Sequence, residues 1–76
     1  MDETHLRDCL ARAERSIESA EERVARERER IAELGRAGHD TGHAVTMLRV
    51  LDHSRDAYEK HRKEILDLLE MTQGRR

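Results

Sequence analysis

The sequence predicts an all-α fold, an antiparallel two-helix hairpin of coiled-coil type that dimerises to a four-helix bundle. Three observations predict it. Apolar residues recur at alternating steps of four and three through two long segments; the stretch between them, GRAGHDTGH (Gly35 to His43), holds three of the four glycines; and no proline breaks either segment. With 42% charged residues, one tyrosine and no Phe or Trp, the 76-residue chain cannot fill a globular core with aromatics. Its apolar content comes as Leu, Ile, Val, Met and Ala among Glu and Arg, residues that favour long helices. One domain, residues 1–76, is expected.

The first helix is expected over about residues 3–37. Leu10, Ile17, Val24 and Ile31 occupy the a positions of a heptad, and Leu6, Ala13, Ala20, Glu27 and Leu34 the d positions. The turn is placed at 38–41. Gly38 can adopt the left-handed conformation that ends a helix, and Asp40 or Thr41 can accept hydrogen bonds from the first free NH groups of the next. The second helix is expected over about 42–72, with Ala44, Leu51, Tyr58, Ile65 and Thr72 at a and Met47, Ser54, His61 and Leu68 at d, before a frayed tail at 73–76.

Folding the chain back near His39 pairs each a with a d, for example Ala13 with Ile65, Ala20 with Tyr58 and Ile17 with His61. Burial of the large apolar residues along one such seam does not by itself offset the entropy of ordering the chain, so a lone hairpin is expected to be marginal. Val45, Leu48 and Val50 near the turn, and Leu66 and Leu69 near the free end, fall off this seam. They are the expected interface with a second hairpin or another protein.

Features that could carry chemistry each have a plainer structural reading. His39 and His43 stand four apart, a helical ligand spacing, but His39 precedes the second helix and no metal is expected. His61 lies in the predicted seam, where desolvation would lower its pKa and make it a pH-sensitive element; the plainer reading has the ring leaning to solvent or bonding a neighbouring acid. Glu27, a seam polar residue opposite Leu51, is read as specifying register or pairing with Arg55 or His53. Arginines 23, 26, 28 and 30 form the densest basic stretch, RVARERER, yet Glu interleaves it and no aromatic stands ready to stack a base. Seventeen acids against 15 bases leave a net charge of -2, with no global pull toward nucleic acid or anionic lipid. Cys9, the lone cysteine, flanks the seam and either packs as a small hydrophobe or cross-links two hairpins. No membrane span and no signal peptide are read, so the expected compartment is the cytoplasm.

The segments AERSIESAEERVARERERIAEL (Ala13 to Leu34), GHDT (Gly38 to Thr41) and AVTMLRVLDHSRDAYEKHR (Ala44 to Arg62) carry a resemblance to short helical-hairpin proteins common in alphaproteobacterial genomes. The resemblance implies the hairpin and brings no activity with it. In that pattern a Glu follows the turn and completes a capping box with the Asp; His43 stands there in this chain, which leaves Asp40 to cap alone. The expected function is a non-enzymatic protein–protein interaction or small regulatory module, without cofactor, with a nucleic-acid-binding four-helix-bundle regulator as the alternative.

Overall fold

The computed structural model describes residues 2–74; Met1 lies outside it, as do Arg75 and Arg76 of the tail expected at 73–76. Two helices, α1 (Glu3–Arg36, 34 residues) and α2 (Gly42–Thr72, 31 residues), make up nearly all of it. Leu6 near the start of the chain clusters with Leu69 near its end, so the helices run antiparallel in a rod about 57 Å long and 16 by 15 Å across.

The reversal follows from the glycine-rich stretch. Gly38 has a φ of +78° and ends α1 with a paired-bond cap: His39 N–H donates to the Leu34 carbonyl at 2.9 Å and Gly38 N–H to the Gly35 carbonyl at 3.1 Å. At the start of α2 the Asp40 carboxylate accepts from Gly42 N–H at 2.9 Å, while the Thr41 side chain makes no capping bond. Of the two candidate caps the structure therefore uses Asp40, in a local turn that mimics a backbone bond. At the end of α2 the N–H groups of Gln73 and Gly74 bond the carbonyls of Leu69 and Met71, and Gly74 takes a left-handed φ of +73°.

On α1 the inward stripe is the expected one, with Leu6, Ala13, Ala20 and Val24 buried and Leu10, Ile17, Glu27, Ile31 and Leu34 half-buried. On α2 the stripe is corrected. Ala44 and Ile65 are buried and Leu51 half-buried as expected, but Met47, Tyr58, His61, Leu68 and Thr72 are exposed. Leu48, Arg62 and Leu69, one step beyond Met47, His61 and Leu68, are buried or half-buried instead, and Arg55 is half-buried beside Ser54, which keeps its half-buried place. The axial register holds, since Ala13 and Ile65 share the main core cluster, but α2 is turned by roughly 50°, half of the ~100° step between neighbouring residues.

The physical reason lies in the two arginines. In the expected orientation the polar seam positions hold Ser54 and His61, too short to cross the groove with a charge. In the observed one, Arg55 and Arg62 lay aliphatic stems along the seam and keep their charged ends among carboxylates. Arg62 Nε donates to Glu14 Oε2 across the helices at 3.2 Å, and Arg55 Nη2 stands 3.3 Å from both Asp52 and Asp56. The same turn brings Leu48 and Leu69 inward.

Candidate interaction surface

The residues singled out from the sequence fall into three places. Leu69, expected off the seam, is 7% exposed in the core cluster with Leu6, Ala13 and Ile65, while Val45, Leu48 and Leu66 are half-buried. His61 is not buried in the seam: it stands at the edge of a recess shared with Cys9, Ala13 and Ser16, its side chain 64% exposed and its Nδ1 4.0 Å from Glu64, which removes the burial on which a pH-sensitive role rested. Glu27 stays half-buried beside Met47 and Leu51 but pairs with neither Arg55 nor His53. Arg28 instead approaches Asp52, at 3.9 Å.

Arg55 is the most constrained charge. Its pKa is raised, first by the hydrogen bond to Asp56 and further by the charges of Asp52, Asp56 and Glu59, against an opposing desolvation. Arg55 Nε and Asp52 Oδ1 are both buried without a hydrogen bond, so charge rather than a directed bond holds this pair beside the seam. Cys9 is half-buried against the Leu6, Ala13, Ile65 and Leu69 cluster, with His5 Nε2 3.6 Å from its sulfur and Arg12 Nη2 donating to it at 3.8 Å. His39 and His43 are exposed at the turn, and among the described residues no group of three or more His, Cys, Asp or Glu side chains converges as metal ligands would.

Turning α2 leaves one flank of the rod with open apolar side chains at both ends and a polar middle. Met47, Val50, Leu68 and Met71 are exposed, Met71 by 72%, and with Ser54, Ala57, His61 and Glu64 they repeat at steps of three and four along the whole helix. This is a second heptad ladder on α2, distinct from the one that packs on α1. Its signal was present in the sequence at Val50, Ala57, Glu64 and Met71, one turn from the d positions read as seam. Beside it, an open recess of about 460 Å³ lies between the helices, lined by Leu51, Ser54 and Tyr58 of α2 and by Arg12, Arg15 and Arg23 among the residues of α1. None of these three arginines ion-pairs with a carboxylate among the described residues.

Comparison with protein-family models, curated proteins and solved structures finds no match to this chain. No helix is long and apolar enough to cross a membrane.

Proposed function

We propose that the chain is a non-enzymatic protein–protein interaction module that pairs the outward flank of α2 with another helix, in a homodimeric four-helix bundle or with a different protein. One observation carries this reading: the flank repeats the heptad spacing by which helices recognise helices, and its apolar members are exposed at both ends of α2. Apolar side chains scattered singly over a surface need no explanation, whereas pairs of them at both ends of one helix, in a single heptad register, do. The anchors on this reading are Met47, Val50, Leu68 and Met71, in place of Leu48 and Leu69, which the hairpin uses internally.

The test compares the full chain with the double variant Val50→Glu, Leu68→Glu. Both positions point to solvent, so circular dichroism should show helicity retained. Self-association in sedimentation velocity, or capture of a binding protein from the source cells, should be lost. Assembly and capture that both survive two charges on the flank would refute the reading.

A nucleic-acid-binding regulator is the second reading, favoured by Arg12, Arg15 and Arg23 opening on one recess without carboxylate partners. It requires that fluorescence-labelled RNA or DNA bind at low ionic strength and dissociate as salt is raised. Absence of binding at low salt removes it.

A further inference from the structure

The ladder on the outer flank of α2 is symmetric about Glu59. Met47 and Met71 are equidistant from that residue, as are Val50 and Leu68, Ser54 and Glu64, and Ala57 and His61. Antiparallel helices place an a residue of one opposite a d residue of the other. With Met47, Ser54, His61 and Leu68 as a and Val50, Ala57, Glu64 and Met71 as d, every one of the four pairs joins an a to a d.

We infer that the helix covering this flank is the same flank of a second copy of the chain, with α2 antiparallel to α2 and a two-fold axis crossing at Glu59. The inference rests on the interaction-module reading and supplies its partner. A two-fold contact is isologous, so one surface must complement itself. Here the complementarity is chemical as well as positional. Met47 meets Met71 and Val50 meets Leu68 at both ends of the contact, closing the exposed apolar groups against each other. Near the axis the large His61 faces the small Ala57, which fills space without overpacking, and the Ser54 hydroxyl can donate to the Glu64 carboxylate. On the rim His53 comes close to Asp67 of the second copy. The two Lys60 side chains flank the axis, and their long stems let the ammonium groups swing apart.

Competing arrangements are worse by the same residues. A parallel pairing in register sets Glu64 against Glu64 and His61 against His61. An antiparallel slip of one heptad sets Met47 against Glu64 and Val50 against His61, leaves Leu68 opposite His43 in the first turn of the partner helix, and carries Met71 past its start. The polar middle and apolar ends of the ladder therefore define orientation and register together. The ladder runs from Met47 to Met71, about 36 Å at the rise of an α-helix. It lies roughly a quarter turn around α2 from the seam with α1, the angle at which a helix in a four-helix bundle meets its second neighbour.

Disulfide trapping tests orientation and register directly. In the full chain carrying Cys9→Ser, Val50→Cys and Leu68→Cys are made as separate variants, mixed and oxidised. In the antiparallel dimer the two copies of residue 50 stand about 27 Å apart, too far to join, while residue 50 faces residue 68. The expected product is the 50-to-68 cross-link, several-fold above either like-with-like species, with the unmodified chain sedimenting as a dimer in the micromolar range. Abundant 50-to-50 linkage would overturn the antiparallel pairing and leave a self-associating module. A wild-type chain that stays monomeric would overturn the second copy as occupant. The interaction-module reading would then still stand if a different protein were captured in a manner abolished by Val50→Glu, Leu68→Glu, and would fall if no such protein were captured.

Discussion

Leu68 and Leu69 are neighbours in the chain and face different worlds. Leu69 is 7% exposed in a cluster with Leu6, Ala13 and Ile65, while Leu68 is 43% exposed on the outer flank of α2. One peptide unit therefore separates a residue that holds the hairpin closed from one that is free to meet a partner. Leu69→Ala should destabilise the fold by about 2–5 kcal/mol, nearer the lower end because a two-helix seam can collapse around the gap. Leu68→Ala, measured below the concentration at which the chain associates, should change stability by about 0.5 kcal/mol or less. Urea denaturation of both variants under dilute conditions checks the contrast, and equal losses would show that α2 is not turned as described.

The same pair shows what the sequence could and could not supply. The α1 stripe was legible because its a and d residues are apolar at every layer but Glu27, leaving a single orientation that buries them. In α2 two adjacent stripes compete, one through Met47, Ser54, His61 and Leu68 and one through Leu48, Arg55, Arg62 and Leu69. Each has two apolar ends and a polar middle, and counting hydrophobic residues cannot separate them. The choice depends on where arginine stems lie and which carboxylates they reach, Glu14 for Arg62 and Asp52 and Asp56 for Arg55. The first is a relation across the fold, beyond the reach of periodicity, while the partners of Arg55 lie on its own helix. The turn, by contrast, was readable in its place and in its left-handed Gly38, while the choice of Asp40 over Thr41 as acceptor came only with the structure.

The bond between Arg62 and Glu14 is the direct measure of that choice. Both side chains are substantially exposed, at 41% and 49%, so the coupling should be small despite the 3.2 Å separation. A double-mutant cycle with Arg62→Met and Glu14→Gln should give about 0.2–1 kcal/mol at low salt, shrinking as ionic strength rises. Methionine keeps the packing of the stem, so the cycle isolates the charge. A coupling of zero at low salt would mean that Arg62 does not cross the groove in solution.

Gly35 and Gly38 are three residues apart and should respond to alanine with opposite signs. A Cβ at Gly35 would have nothing within 4 Å, and the residue lies in the last turn of α1 with helical backbone. Gly35→Ala should stabilise by about 0.4–1 kcal/mol, through the reduced freedom of the unfolded chain and better helix propensity. Gly38 also has open space around it, but its φ of +78° is left-handed, so Gly38→Ala should cost about 1–2 kcal/mol. Thermal melts of the two variants at one protein concentration should move to either side of wild type. Loss in both would place Gly35, too, outside helical geometry.

Asp40 anchors the first turn of α2, and its contribution can be separated from the loop around it. Removing the acceptor in Asp40→Ala leaves Gly42 N–H to water and should cost about 0.5–2 kcal/mol. Asn keeps an oxygen in the same place and should recover most of that loss, since amide and carboxylate caps are nearly equivalent. Gly42→Ala approaches the same bond from the other side. Its new Cβ would lie 3.3 Å from Asp40 Oδ1, close enough to push the carboxylate outward but not to collide with backbone. The gain in helix propensity, up to about 1 kcal/mol, is therefore offset by a strained cap in the presence of Asp40 and should appear nearly whole once Asp40 is alanine. Chemical denaturation of the two single variants and the double variant should show this non-additivity. Strict additivity would mean that the carboxylate moves aside at no cost, and that Asp40 caps α2 only weakly.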